Sequence, residues 1–367
     1  MKKIKFTTSL IAVILSALAG GQLNAQNSRS GTAEKDHLKM DFLSYEKYID
    51  ENNEAHLKEY LEFVSIPSIS SMPSHKPDIE RAAAWIVKKL KAIGMTTAET
   101  IPTKGLPIVY GSWDKATGKP TVLIYAHYDV QPVKEAEWEN PPFAPVIRNE
   151  RIFGRGASDD KSGVMIAIWA VEAMLSRDKS LPVNVKFVFE GEEEDGSPNF
   201  HEFLANNKEL LKADFALNTD AGQRSDSVPA ISMSVRGYAG LEFHVKTADF
   251  DAHSGGYGGK TPNSAKAMAE IIASFYNKDG SVAVEGFYDK VIPLTSQERE
   301  MVKKFPYNAG DDMKIMGTTA EAGDTNYMPL ERIWYRPTLE INGMQGGYTA
   351  VEGFSNIIPG TAMCRLS

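Results

Sequence analysis

Three short stretches of this chain carry residue types that hold cations and move protons. Tyr125-Ala126-His127-Tyr128-Asp129 closes the apolar run Thr121-Val122-Leu123-Ile124. Asp159-Asp160 follows Gly154-Arg155-Gly156, and Glu190-Gly191-Glu192-Glu193-Glu194 follows the apolar run from Val183 to Phe189. One imidazole, one acidic pair and one acidic cluster thus stand at the exit of an expected strand or in the turn beyond it. Imidazole and carboxylate are donors that divalent zinc, manganese or cobalt accept. Gathering so much negative charge without a cation would raise carboxylate pKa values and cost stability. The pattern points to a site for two metal ions, and so to hydrolysis.

Each piece also has a plainer explanation. A single histidine at a strand end is often a structural hydrogen-bonder, yet in extended chain His127 and Asp129 project to the same side. A carboxylate so placed can fix the tautomer of a ligating imidazole. Asp159-Asp160 could cap the helix expected after it; one acid suffices for that, which leaves the other available. Three consecutive glutamates are usually a solvated charge run. Here they end a buried strand, and neighbouring glutamates allow a division of labour, one holding metal and the other acting as general base. Asp220, after Phe215-Ala216-Leu217-Asn218-Thr219, is a fourth strand-end acid that alone would read as a turn residue.

The elements that must position these groups follow from periodicity. Helical spacing runs from Phe42 to Val64 and again, strongly amphipathic, from Ile79 to Ile93, where Gly94 stops it. Strands are expected at Ile108-Val109-Tyr110, from Thr121 to Tyr125 and from Val183 to Phe189, with a buried helix from Gly163 to Leu175. Strands apolar on both faces and alternating with helices predict an α/β fold, a mixed and mostly parallel sheet flanked by helices. Ligands gather beyond the carboxyl ends of strands in such sheets. From about Val228 the pattern becomes α+β. Half-buried strands are expected from Ala230 to Arg236, from Leu241 to Thr247 and from Thr338 to Asn342, with a glycine-rich turn from Gly343 to Gly347 and a helix from Asn263 to Tyr276.

Lys2, Lys3 and Lys5, the apolar core from Leu10 to Ala19 and Leu23-Asn24-Ala25 have the grammar of a secretory signal. The expectation is a signal peptide over 1–25, cleavage near Ala25, export to a periplasm or the extracellular space, and a flexible lead-in over 26–40. No segment approaches the roughly 20 apolar residues of a stable membrane span. The formal charge is −8, and loss of the three leader lysines takes it to −11. An acidic chain without a basic block argues against nucleic acid as a partner. The single cysteine, Cys364, excludes an intrachain disulfide and a cysteine-based zinc site.

Four ordered motifs now stand together: Tyr125-Ala126-His127-Tyr128-Asp129-Val130-Gln131-Pro132, Gly154-Arg155-Gly156-Ala157-Ser158-Asp159-Asp160-Lys161, Glu190-Gly191-Glu192-Glu193-Glu194-Asp195-Gly196-Ser197 and Asn218-Thr219-Asp220. In order and spacing the chain resembles the M20 metallopeptidases from about Leu57 onward, and is most similar to their carnosinase and non-specific dipeptidase branch. The resemblance implies a catalytic domain of the zinc-exopeptidase kind over 41–227, with a lid and dimerisation domain over 228–367. It implies that His127 binds one metal, Asp220 the same or the partner ion, that Asp159 bridges the two and that Glu194 holds the second. Asp129 would orient His127, Glu193 would activate the attacking water, and the Asp159–Asp160 peptide would be cis. From the lid of a neighbouring subunit His253 would meet the oxyanion, and Asn356 would contact substrate. The plainer role for His253 is to cap the helix beyond it.

Two departures from the family pattern stand out. Lys161-Ser162-Gly163 replaces a direct Lys-Gly, which affects the turn and not the ligand. The family also closes with a return of the chain into the catalytic domain that brings a final histidine ligand, preceded by an arginine for the substrate carboxylate. The sequence ends at Ser367 without either, so both domains are expected to be incomplete and this form inactive or nearly so. The function expected is dinuclear, metal-dependent hydrolysis of dipeptides or short peptides by a secreted homodimer. Zinc is the default ion, with manganese and cobalt left open by donor type. The alternatives are an N-acyl amino acid amidohydrolase and a non-catalytic dimerising chain or fragment.

Overall fold

The computed structural model describes residues 42–222, 232, 234–350 and 352–367. The expected leader and lead-in lie outside the described residues, as does part of the strand expected from Ala230 to Arg236. The chain forms two compact units, Met1–Ser232 and Met233–Ser367. Among the described residues no helix is long and apolar enough to cross a membrane.

The first unit is built on a five-stranded sheet. Its strands are β1 (Thr97–Ile101), β2 (Ile108–Trp113), β3 (Thr121–His127), β6 (Asn184–Glu190) and β7 (Phe215–Asn218), in the order β1-β2-β6-β3-β7. A small antiparallel hairpin, β4 (Val146–Arg148) with β5 (Arg151–Phe153), lies outside it. The β3 strand pairs in parallel with β6 and β7, whereas β1–β2 and β2–β6 are antiparallel, so the sheet is mixed and its parallel part is the half that carries the motifs. Register aligns the strand exits: His127 stands opposite Glu190, and Tyr125 opposite Asn218.

Both faces of the sheet are covered, as strands apolar on both sides require. Val109, Val122, Ile124, Val185, Phe187 and Phe189 face one core, shared with helices α1 (Phe42–Glu51), α2 (Asn53–Val64), α3 (Lys76–Ala92) and α4 (Lys161–Asp178). Ile108, Tyr110 and Val188 face the other, against Phe203 of α5 (Phe200–Asn206) and Leu211 of α6 (Lys208–Leu211). The α4 helix is apolar nearly all round, with ten hydrophobic residues from Val164 to Leu175 buried, as a helix packed on more than one side must be. The single helix expected from Phe42 to Val64 is two, interrupted at Asn52. The amphipathic helix begins three residues early, because Pro77 sits near its N-terminus, where no amide hydrogen is needed.

In the second unit β10 (Ile341–Gly346), β12 (Thr361–Leu366) and β8 (Leu241–Lys246) form an antiparallel sheet in that order. The helix Ser264–Ser274 packs on it through Met268, against Ala362 and the free, buried Cys364. A second, two-residue pairing joins β9 (Ala252–His253) to β11 (Ile357–Ile358). Two expectations are corrected. The described residues 234–236 are not in a strand. Gly343 to Gly347 is not a turn: most of it is strand β10, and the strand expected from Thr338 begins only at Ile341. The glycine at 346 is there for close approach, since a Cβ would come within 2.9 Å of the Ala362 side chain.

Candidate metal centre

His127 ends β3 and is wholly buried. Its Nδ1 lies 3.2 Å from the Asp129 carbonyl oxygen and 3.4 Å from Asp129 Oδ1. Both can only accept, so Nδ1 carries a hydrogen, and in the neutral ring Nε2 presents its lone pair to the acids beyond. Asp159 Oδ1 is 3.0 Å from Nε2, and Glu193 Oε2 and Asp220 Oδ2 are each 3.8 Å away. Two groups of donor atoms lie within 4.8 Å of one another: His127, Asp159 and Glu194, and His127, Asp160 and Asp220. The structure therefore brings together all six site residues that the sequence places in the first unit.

The local chain explains the convergence. Asp129, wholly buried, accepts the backbone amides of Glu193 (3.2 Å) and Glu194 (3.0 Å) while facing His127. Gln131 donates from Nε2 to Glu194 Oε2 at 2.8 Å. Glu192 turns away from the cluster and is held by the Asn199 amide. Asp160 is the N-cap of α4, accepting from Gly163 N at 3.1 Å and from His127 N at 3.2 Å. Its neighbour Asp159 makes no cap and is free to face the imidazole. The peptide between them is cis, as the family pattern implies. Lys161 is fully buried and donates to the Phe63 and Ile66 carbonyls, tying α4 to the end of α2.

His253 and Asn356 lie in the second unit and are neighbours there. The Ser254 amide donates to the Asn356 carbonyl at 2.8 Å, and His253 pairs with Ile357. The Gly255 amide donates to His253 Nδ1 at 3.0 Å, the capping role considered from sequence. That bond requires a lone pair on Nδ1, so the neutral ring carries its hydrogen on Nε2 and is a donor there. A cavity of about 640 Å³ in the same unit, lined by Tyr276, Tyr288, Arg332 and Arg336 among others, holds none of the donors. The acid cluster marks the chemistry, and the cavity does not.

Sequence reading missed Gln131, Lys161, Asp160 as a partner of the His127 amide, and Glu190. All four lie inside the motifs, so position was available as a signal and orientation was not.

The electrostatics fit a cation. Burial pushes Asp160 up to about 8, with Asp220 adding to the effect and His127 opposing it. Burial likewise holds Glu193, Glu194 and Asp220 above the usual carboxylate range. For His127 burial opposes the charge, but Asp129 and the other acids outweigh it and push the ring up to about 10. In the ion-free protein a proton on Nε2 thus stands where a cation would neutralise the acids. Imidazole nitrogen with several carboxylate oxygens is a donor set that suits a divalent ion, and the residues present fit such ions.

A stability prediction follows. Each of these groups binds protons more tightly folded than unfolded, so their contribution to ion-free stability is fully present at low pH and is lost as pH rises. The window opens near the unfolded carboxylate values of 3.8 and 4.5 and runs through about 8 for Asp160. For His127 it runs from 6.5 to about 10. Metal-stripped protein should melt at a lower temperature at about pH 8 than at about pH 5, and added zinc or manganese should raise Tm most at the higher pH, because ions bind deprotonated donors. A Tm flat across that range, or metal rescue larger at the lower pH, would contradict the assignment.

Residues 123–348 match the profile described as Peptidase family M20/M25/M40. The chain is 30% identical over 324 residues to a cysteinylglycine-S-conjugate dipeptidase of Corynebacterium striatum, covering 86% of this chain and 68% of that protein. It is 29% identical over 338 residues to the Beta-Ala-His dipeptidase of Rattus norvegicus, covering 88% and 68%. Among solved structures it is similar to an M20 family metallo-carboxypeptidase from Sulfolobus solfataricus, with a TM-score of 0.74 and 34% identity over 85% of this chain and 70% of that one.

Proposed function

The chain belongs to peptidase family M20/M25/M40, and on that premise we propose that it is a metal-dependent dipeptidase with its catalytic centre in the acid cluster around His127. The observation that carries this is geometric: Asp159, Glu193 and Asp220 all reach within 3.8 Å of one imidazole nitrogen. Two of the relatives bear the names of dipeptidases, and the similar structure that of a carboxypeptidase. A dipeptide is the substrate class that the two dipeptidase names suggest.

His127, Asp159, Glu194 and Asp220 would hold two divalent ions, with zinc the default and manganese and cobalt equally suited to the donors. Bound there, the ions would supply Lewis acidity and a water acidic enough to attack at neutral pH. Asp129 fixes the imidazole by facing Nδ1, and it fixes the base by receiving the Glu193 amide. Glu193 takes the proton of the attacking water and delivers it to the leaving amine. Its raised pKa, due first to burial, brings it toward the operating pH, where a general base is most effective. The oxyanion needs a donor. His253 Nε2–H, from the second unit of a partner chain in a homodimer, is assigned that role, with Asn356 beside it on the substrate.

The test is a substrate panel on the full product of the gene, reconstituted with zinc, manganese or cobalt. Unblocked dipeptides such as β-alanyl-histidine and cysteinyl-glycine should be hydrolysed, chelation should abolish the activity, and returning the ion should restore it. Faster cleavage of N-acylated amino acids would replace the dipeptidase by an amidohydrolase. Two tightly bound ions with no hydrolysis of either class would remove the enzymatic reading altogether.

A further inference from the structure

We propose that Glu190 is a positioning residue for Glu193, its carboxylate clamping the loop of residues 191–197 to the end of β6. What the loop carries rests on the peptidase reading above; the clamp stands on geometry alone. Glu190 is the last residue of β6 and only 1% exposed. Its Oε1 accepts two hydroxyl hydrogens, from Tyr125 at 2.5 Å and from Ser197 at 3.1 Å. Tyr125 lies on β3, two residues before His127, and Ser197 closes the loop that bears Glu193 and Glu194. One oxygen therefore joins two strand ends and the far side of the loop.

The backbone shows how tightly the loop is folded over. Gly196 N donates to Glu193 O and Ser197 N to Glu192 O, both at 2.8 Å. Gly196 and Ser197 both have positive φ, 82° and 54°. For serine that conformation is unfavourable, and its hydroxyl bond to Glu190 helps to offset the cost. At the other side of the turn the Glu193 and Glu194 amides are held by Asp129. The base thus sits between two carboxylate anchors, Asp129 before it and Glu190 behind it.

Packing does not explain the choice of an acid. Glu190 Oε2 is buried and has no hydrogen-bond partner, a cost that an apolar side chain would avoid. What an apolar residue could not supply is the acceptor for Tyr125 and Ser197.

Amide hydrogen exchange by mass spectrometry over 191–197, combined with steady-state kinetics, tests the clamp. In Glu190→Ala, exchange across the loop should rise about tenfold while the α4 helix exchanges as before. The kcat should fall by about 10²-fold, the cost of a roughly 1 Å misplacement, with KM changed far less. Glu190→Gln keeps the Oε1 acceptor and should recover most of both losses. If Glu190→Ala does not fold, Ser197→Ala removes one donor of the same clamp and carries the test. Unchanged loop exchange, or acceleration spread equally over α4, would overturn the proposal. Should the wild-type protein hydrolyse no dipeptide, the peptidase reading fails, while the exchange result still decides the clamp.

Discussion

Glu193→Gln is expected to retain its metal and lose turnover by about 10²–10⁴-fold, the usual contribution of a positioned general base. The substitution removes a proton acceptor while leaving the backbone amide that Asp129 holds. The side chain is close to isosteric, so the loop should not move. Asp159→Asn should behave in the opposite way. Asp159 Oδ1 is the carboxylate oxygen nearest to His127 Nε2, at 3.0 Å, and the amide offers a weaker and uncharged donor. Its first consequence should be a lower metal stoichiometry, with activity falling in proportion and partly recovering at high ion concentration. Metal analysis of the dialysed proteins beside kcat separates the two behaviours. Equal metal loss in both variants would make Glu193 a ligand, and normal turnover in Glu193→Gln would move the base elsewhere.

Two individually dead proteins should recover activity when mixed, if His253 serves the site of its partner. His253→Ala lacks the oxyanion donor and Glu193→Ala lacks the base. A mixed C2 dimer then contains one site with both groups and one with neither. With random exchange half of the dimers are mixed, so the mixture should reach about a quarter of wild-type activity. The physical motive is the donor count. The cluster around His127 is made of acceptors and cation ligands, whereas His253, through the Gly255 amide bond, is held as a hydrogen donor. Mixed dimers can be counted independently with two affinity tags. Activity that stays at zero while tagged heterodimers form would place the whole site within one chain.

The half of the fold that carries the chemistry was legible because parallel strands buried on both faces leave an unbroken apolar run, and each run ended on a motif. Thr121 to Tyr125 and Val183 to Phe189 were placed within two residues of β3 and β6. Edge structure was harder. The β1 strand, Thr-Ala-Glu-Thr-Ile, buries only one residue fully and gives little periodic signal. The helix Ser296–Lys304 was missed although Thr295 and Glu298 form a capping box, a signal present in the sequence and not used. Gly343 to Gly347 misled because glycine marks both a turn and a close approach, and only the position of Ala362 distinguishes them. At the site, residue types predicted the cluster, but orientation needed coordinates. Nothing in Glu192-Glu193-Glu194 alone says that the first turns to Asn199. Likewise, of the two aspartates only the structure shows that Asp160 became the cap.

One carboxylate, Asp129, faces the His127 imidazole on one side and receives the backbone amides of Glu193 and Glu194 on the other. For anyone re-engineering the centre, it has fewer independent adjustments than it has residues. Moving His127 and moving Glu193 both disturb the same side chain. Asp220 and Asp159 reach the same imidazole from other segments of the chain, so they can be changed without touching Asp129. Directed changes of metal should begin there.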